Sequence, residues 1–262
     1  SLHKVEPKVF LIGETRIIED GLTAYLEHIG IPEWTSDAPT DAERLIEIYG
    51  RLCYRSFKPG LNPNVTKIRE RNSDYIGNVL NVKHGSVIEH PVLNFIFADV
   101  SRVFTHELVR HRVGVGISQE SLRFVRLEDL GQWLPAAIRE NEKAVEIFTR
   151  TFEELERLQL ELAQIFELDS PGKPFGEKKI ITSAMRRIAP LGLATTIGWS
   201  ANPRTIRWLL EMRTHPSAEE EIRLVFGKLG EIVTQRYPNL FGDFTSEMID
   251  GHKWYKSLNS KV

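Results

Sequence analysis

The sequence has almost no cysteine: Cys53 is the only one among 262 residues. A lone cysteine cannot form an intrachain disulfide and cannot supply a thiolate-rich metal site. A disulfide-stapled secreted domain is therefore excluded, and a reducing cytoplasm is the expected compartment. Because thiols behave as small apolar groups, we expect Cys53 to lie in or near the core rather than to act in catalysis.

Long apolar runs and a strong net charge are also lacking. No stretch approaches the roughly 20 apolar residues that a membrane span requires, and residues 1–10 lack the apolar centre of a signal peptide. The formal net charge is only −2, which gives no general reason to bind nucleic acid or an anionic membrane. We therefore expect a cytoplasmic protein with no nucleic-acid or membrane partner, in which any anion binding is local.

Internal repeats, low-complexity tracts and long linkers are absent as well. Hydrophobic residues make up 41% of the chain and charged residues 27%, the balance of a folded protein with a substantial core. The sequence therefore predicts one α+β domain over residues 1–262.

Local patterns predict several elements of this domain. An apolar and aromatic run over 92–100 is typical of a strand, and Ser101 is a suitable N-cap for a helix that runs into Arg110. Apolar residues at helical spacing predict a long amphipathic helix over 141–168. Beyond it, helices are predicted over 179–213 and 217–238, with breaks at Pro190, at Asn202–Pro203 and at Pro216.

Two short motifs resemble well-known sites without meeting their geometry. The segment HELVRH, His106–His111, has its histidines five residues apart, whereas the zinc-protease helix needs four. At about 100° per residue the two rings diverge by roughly 140°, so we expect no metal site. The segment GVGISQ, 114–119, lacks the third glycine of the dinucleotide fingerprint. We interpret it as a glycine-spaced turn, whose glycines can still admit an anion or a flat ring close to the backbone.

Arginines amid apolar runs are the most informative feature. A guanidinium can give two parallel hydrogen bonds to one oxyanion, which suits phosphate. Any single arginine could instead pair with one of the many glutamates, but the set together favours a phosphorylated small ligand. The set comprises Arg110, Arg112, Arg123, Arg186, Arg204 and Arg213.

Ser121 and His90 each have a structural interpretation beside a functional one. No nucleophile elbow surrounds Ser121, so its hydroxyl is expected to bond a ligand or to cap a turn. His90 alone is as typical of a structural histidine as of a catalytic one.

The order of the motifs resembles the flavin-dependent thymidylate synthase family. RHR (110–112) is followed by SLRF (121–124), with HGSVIEHPVLNF and SRVFTHELVRHR upstream. RRIAPLGLATTIGWSANPR and LEMRTHPSAEEEIR follow, so the resemblance extends over roughly residues 80–240. It implies an α+β fold with a central, mainly antiparallel sheet flanked by long helices. It also implies a homotetramer with active sites between subunits.

The same resemblance implies reductive methylation of dUMP to dTMP, with FAD as cofactor and NADPH and methylenetetrahydrofolate as co-substrates. In this family Ser121 is not expected to attack the uracil ring. The residues that the resemblance assigns to FAD are His90, Arg110, His111, Arg112, Asn202 and Arg204. Those that it assigns to the nucleotide are Glu107, Gln119, Ser121, Arg123, Arg186 and Arg213, with Ser121, Arg123 and Arg213 serving the catalytic step.

Some positions depart from the family pattern. Eight residues, 113–120, separate RHR from Ser121, one more than usual, and we expect Gly114 and Gly116 to absorb the addition. Two alternative functions therefore stay open: methylation of UMP, and flavin binding without methylase activity. A third, metal-dependent phosphohydrolysis, would need metal ligands that the sequence does not offer at suitable spacing. The substituted positions are Glu107 for a common glutamine, Trp208 for an asparagine, Ser217 for a histidine and Phe124 for a tyrosine.

Overall fold

The structure, a computed structural model, describes residues 3–123 and 127–262. Phe124, the last residue of the SLRF motif, lies outside the described residues. The chain divides into two compact units. Unit 1 comprises the described part of Ser1–Phe10, Ile96–His111 and Ile117–Trp199, and unit 2 comprises Leu11–Phe95, Arg112–Gly116 and Ser200–Val262.

Helices and strands alternate along the chain. The strands are β1 (His3–Lys4), β2 (Lys8–Glu14), β3 (Leu93–Ser101), β4 (Val115–Gln119), β5 (Gly131–Gln132), β6 (Ala194–Ala201), β7 (Phe244–Ile249) and β8 (His252–Ser257). The helices are α1 (Glu19–His28), α2 (Asp41–Tyr54), α3 (Asn72–Asn81), α4 (Arg102–Leu108), α5 (Ala136–Arg139), α6 (Glu142–Ile165), α7 (Phe175–Met185), α8 (Pro203–Thr214), α9 (Glu220–Arg236) and α10 (Pro238–Phe241). Short 3₁₀ helices cover Gly85–Glu89 and Arg186–Ile188.

The strands form one sheet of four and two pairs. The four-stranded sheet has the order β2-β3-β6-β4. β1 pairs with β5 in parallel, and β7 and β8 form an antiparallel hairpin in which Phe244 lies opposite Ser257. The predicted α+β class, with an antiparallel sheet and flanking helices, is confirmed.

The strand and helix predicted around Ser101 are confirmed. β3 covers Leu93–Ser101, and the Ser101 hydroxyl accepts the N–H of Phe104 at 3.2 Å as the N-cap of α4. This bond satisfies a donor that the first turn of a helix leaves unpaired. α4 ends at Leu108, so the RHR segment begins two residues beyond the helix.

The helix predicted over 141–168 is also confirmed, as α6. Asn141 caps it by accepting the N–H of Ala144 at 3.1 Å.

Two segments predicted as helix or turn are strands. The span 194–201 was expected to be helical but forms β6, in which every second side chain from Thr195 to Ala201 is buried. That period of two marks a strand with one face against the core. GVGISQ was expected to be a glycine-spaced turn, yet Val115–Gln119 forms β4. Of its two glycines, only Gly114 has a left-handed backbone, with φ of +68°.

The prediction that Cys53 lies in or near the core is wrong, because its side chain is exposed. The inner face of α2 holds buried polar residues beside Ile46. Glu47 and Arg51 are almost fully buried there and form an ion pair, with 2.8 Å between Oε1 and Nη2. Cys53 follows Arg51 by two residues, which at about 100° per residue places it on a different face of the helix.

Because Cys53 is an exposed thiol outside the predicted ligand-binding motifs, we expect Cys53→Ala to retain most of the methylase activity that the family resemblance implies. The initial rate of dTMP formation, compared at equal protein concentration, measures this. Loss of turnover in a folded Cys53→Ala variant would show that a thiol attacks the uracil and would contradict the mechanism proposed below.

Among the described residues, no helix combines the length and the apolarity needed to cross a membrane.

Candidate active site

The Ser121–Arg123 turn is the first part of the candidate nucleotide site, in unit 1. The Ser121 hydroxyl accepts the backbone N–H of Arg123 at 3.3 Å, so it caps the turn as expected. The Arg123 side chain is exposed, and its Nε donates to the Ser183 hydroxyl of α7 at 2.8 Å. Thr182 of α7 donates to the Arg123 carbonyl, also at 2.8 Å. Helix α7 therefore fixes both the backbone and the guanidinium of Arg123.

Gln119 joins the end of β4 to α4 in the same unit. Its amide Nε2 donates to the Thr105 hydroxyl at 3.3 Å. Thr105 lies two residues before Glu107, which is half-buried in the last turn of α4. The Arg110 N–H donates to the Glu107 carbonyl at 3.3 Å, and the Arg110 side chain is exposed. The predicted residues Glu107, Arg110 and Gln119 are thus all tied to one short helix.

A pair of neighbouring arginines in unit 1 includes a residue that the sequence analysis did not select. Burial, and after it the nearby charge of Arg186, lowers the pKa of Arg102 below its ordinary value. Arg102 Nη2 donates to the Glu120 carbonyl at 3.3 Å, while its buried Nε has no hydrogen-bond partner among the described residues. Two guanidiniums that repel each other are stabilised by an anion placed near both.

Arg204 is the centre of the candidate cofactor site in unit 2. It lies in the first turn of α8, its side chain is 44% exposed, and its Nη1 lies 2.5 Å from Glu89 Oε1. Its Nε donates to the Val262 carbonyl at 3.1 Å. A Cβ atom at Gly85 would come within 2.7 Å of the guanidinium carbon, so only glycine leaves the guanidinium where it is.

The contacts of Gly85 and Arg204 draw attention to His84, another residue that the sequence analysis missed. His84 precedes Gly85, and its ring meets the Tyr54 ring edge to face with centroids 5.8 Å apart. His90, the predicted flavin-ring histidine, is exposed and stacks on Tyr49 with centroids 4.0 Å apart. His84 could have been found only through the glycine that follows it, because Gly85 lies against Arg204, far away along the chain.

The loop after RHR is fastened to the start of α8. The Asn202 N–H donates to the Gly114 carbonyl at 3.2 Å, and the Thr205 hydroxyl donates to the Val113 carbonyl at 2.8 Å. Asn202 also caps α8 by accepting the Thr205 N–H at 2.9 Å. A side chain at Gly114 would collide with the Asn202 amide. These contacts fasten the chain directly after Arg112 to the N-terminus of α8. The Arg112 side chain itself is exposed.

The remaining predicted residues lie near the same elements. His111 is half-buried just before Arg112. Arg213 is half-buried in the last turn of α8, and Trp208 is 51% exposed on the same helix. Ser217 hydrogen-bonds through its hydroxyl to His215 Nδ1 at 2.7 Å.

Exposed arginines, glycine-lined backbone and a loop fixed to a helix N-terminus are features typical of proteins that bind phosphorylated ligands. The family of this chain follows from sequence comparison. The model of the Thy1 family, thymidylate synthase complementing protein, matches residues 36–239. The chain belongs to the flavin-dependent thymidylate synthase family and is an enzyme of the methyltransferase class.

Individual relatives agree with this assignment. The flavin-dependent thymidylate synthase of Corynebacterium diphtheriae is 34% identical over 224 residues, covering 84% of this chain and 86% of that protein. In fold, the chain resembles thymidylate synthase X (ThyX) of Helicobacter pylori, solved with FAD and dUMP, with a TM-score of 0.58 and 20% identity over 91% of this chain and 98% of that one. It also resembles the UMP/dUMP methylase PolB of Streptomyces cacaoi bound with 5-Br dUMP, with a TM-score of 0.62 and 15% identity over 92% and 96% of the two chains.

Proposed function

We propose that this enzyme methylates dUMP to dTMP, with FAD as its cofactor and with NADPH and methylenetetrahydrofolate as co-substrates. The common name of its relatives supports the reaction, and the H. pylori enzyme with FAD and dUMP supports the two ligands. One observation in the structure carries the proposal. The contact between Gly114 and Asn202 brings the loop of Arg112 onto the helix that carries Arg204.

The residues present fit FAD. A pyrophosphate needs cations and backbone donors, which Arg112, Arg204 and the N-terminus of α8 supply. The absence of side chains at Gly85 and Gly114 leaves the backbone accessible where a flat ring or a phosphate would approach. We assign His90, Arg110, His111, Arg112, Asn202 and Arg204 to FAD, and we add His84 to this set.

The protein's contribution to catalysis is positional and electrostatic. When bound, FAD supplies the redox chemistry that the reductive methylation requires. Arg123, Arg186 and Arg213 hold the nucleotide, and Glu107, Gln119 and Ser121 orient it. Arg102, next to Arg186, adds positive charge near the phosphate of the nucleotide. Fixed donors of this kind stabilise charge that develops on the pyrimidine without reorganising during the reaction, and holding the reactants in one geometry removes much of the entropic barrier.

The quaternary structure and the compartment are part of the proposal. We propose one functional domain that assembles as a homotetramer with active sites between subunits. A subunit interface would remove from water some of the large apolar side chains that α6 and α7 expose. They include Ile147, Ile165, Phe175 and Ile180. The single, exposed cysteine fits the reducing cytoplasm.

The choice between dUMP and UMP depends on the loop with the additional residue. Gly114, with its positive φ, absorbs an unusual backbone angle there, and the Ser121–Arg123 turn keeps its hydrogen bond. We therefore favour dUMP, although the PolB structure makes UMP the second candidate.

We expect kcat/KM to favour dUMP over UMP by about tenfold or more, the equivalent of about 1.4 kcal/mol. Both values are measured with one enzyme preparation at saturating co-substrates. A ratio near one, or a ratio that favours UMP, would assign the enzyme to UMP methylation and leave the flavin-dependent chemistry in place.

A further inference from the structure

The last 20 residues, 243–262, pack along α8, and we call them the C-terminal brace. They comprise Asp243, the β7–β8 hairpin and the segment that follows it. The brace lies beyond residues 36–239, the part of the chain that the family model matches. Neither the sequence motifs nor the proposed function assigns it a role.

The brace runs along α8 in the opposite direction to the helix. Its contacts fall on a stripe of α8 residues spaced three, four and three apart, which is one face of a helix. Counted from the N-terminal end of α8, three of the four contacts reach residues 262, 257 and 255 in falling order, and the remaining one, made by the second α8 residue, reaches the first residue of the brace. In order along α8 they are Arg204 Nε to the Val262 carbonyl (3.1 Å), Arg207 to Asp243, Ser257 N to Glu211 Oε1 (3.0 Å) and Tyr255 N to the Thr214 hydroxyl (2.9 Å).

The ion pair of Arg207 with Asp243 is the strongest of these contacts. The guanidinium donates two hydrogen bonds to the carboxylate, at 2.7 and 2.6 Å, and the side chains are only 5% and 12% exposed. Ser257 and Asn259 donate to the same carboxylate at 2.6 and 3.0 Å. Burial alone would raise the pKa of Asp243, but its hydrogen bonds with Arg207 hold it below the ordinary value. A buried two-point pair of this kind fixes the geometry of both partners.

Helical geometry transmits this constraint to Arg204. Arg204 lies three residues before Arg207, so the two side chains leave the helix about 60° apart. A change in the rotation of α8 about its axis would move both together. The guanidinium of Arg204 already lies against Gly85 and pairs with Glu89, so a small rotation would take it out of that position.

We propose that Asp243 is a positioning residue for the cofactor site, which through Arg207 and the orientation of α8 sets the place of the Arg204 guanidinium. This inference rests on the proposed binding of FAD by Arg204. The brace is thereby a structural support for cofactor binding that lies outside the matched family segment.

The test compares FAD affinity in two variants of the brace that each lose one negative charge. Asp243→Asn removes the buried pair, whereas Glu247→Gln removes only a surface pair with Lys256 and is the control. We expect the dissociation constant of FAD, from titration of the apoprotein, to rise about tenfold in Asp243→Asn and to stay within about twofold in Glu247→Gln. Equal affinity in the two variants would overturn the inference.

A double-mutant cycle separates positioning from general stability. Arg204→Lys removes the forked guanidinium, so Asp243→Asn in that background should add less than about twofold to the FAD dissociation constant. If Asp243→Asn raised the FAD dissociation constant about tenfold in the Arg204→Lys background too, Asp243 would not act through Arg204, and the inference would be overturned.

If Asp243→Asn does not fold, Ser257→Ala replaces it in the comparison of FAD affinity. This variant removes one hydrogen bond from the Asp243 carboxylate. We expect it to weaken FAD binding about threefold, and unchanged affinity would overturn the inference. If the wild-type protein binds no FAD, the proposed function fails and the inference fails with it. If only the variants behave unexpectedly, the inference alone fails.

Discussion

Arg112→Ala is expected to purify without flavin. Arg112 is an exposed cation on the loop that Gly114 and Asn202 fasten to α8, where the pyrophosphate of FAD is proposed to lie. Removing it leaves one phosphate charge without its forked donor, and losses at such pairs reach 2–5 kcal/mol or more, about thirtyfold upwards in affinity. The visible absorbance of the purified variant and the FAD dissociation constant of its apoprotein measure the effect.

Arg157→Ala is the matched control for this variant. Arg157 is an exposed arginine of α6 that pairs with Glu154 and Glu161, so its loss changes the net charge by the same amount without touching the candidate site. It should bind FAD as the wild type does. An Arg112→Ala protein that is as yellow as the Arg157→Ala protein would show that Arg112 is not a flavin ligand.

Arg213→Ala should keep the flavin and lose affinity for the nucleotide. Arg213 lies in the last turn of α8, about two and a half turns from Arg204 at the other end of the helix. Loss of a charged donor to a substrate anion should raise the KM for dUMP by about tenfold or more, with absorbance of bound FAD unchanged. The measurements are steady-state kinetics at varied dUMP and the flavin spectrum of the same preparation.

Arg236→Ala is the control for Arg213→Ala. Arg236 also lies in the last turn of a helix, α9, but it pairs with Glu14. Its removal should leave the KM for dUMP within about twofold of the wild-type value. If Arg213→Ala likewise left the KM unchanged, Arg213 would belong to a structural ion pair rather than to the nucleotide site.

Those parts of the fold that depend on local signals were predictable from the sequence. The cap of α4 by Ser101 and the cap of α6 by Asn141 follow from short polar side chains directly before apolar helical patterns. The position of the RHR segment just beyond α4 follows from the same reasoning. The order of several motifs was likewise sufficient to identify the family from the sequence.

Parts that depend on distant contacts were not predictable. β6 has a short pattern that periodicity alone cannot separate from a buried helix, and its strand state comes from pairing within the sheet. Cys53 was misplaced because the inner face of α2 is occupied by Glu47 and Arg51, which tolerate burial only as a pair. A pattern based on apolar residues alone therefore predicts the wrong residues to be buried on such a helix.

The candidate site shows the same division. Their positions amid apolar runs selected the arginines, and motif order assigned their roles. The structure places Arg123 and Arg204 in defined hydrogen bonds. Arg102 and His84 were missed because their significance lies in neighbours far away along the chain, Arg186 for the first and the Gly85–Arg204 contact for the second. The β7–β8 hairpin had no recognised motif at all, although β8 packs against α8 and hydrogen-bonds to it.

The most direct test of the central claim is to measure dTMP formation by wild-type protein reconstituted with FAD. The reaction contains dUMP, methylenetetrahydrofolate and NADPH, and NADPH oxidation is followed together with the product. We expect a yellow protein that forms dTMP, with product absent when any one of FAD, dUMP or the folate is omitted. A protein that cannot be reconstituted with FAD, or one that binds FAD and oxidises NADPH without forming dTMP, would contradict this claim.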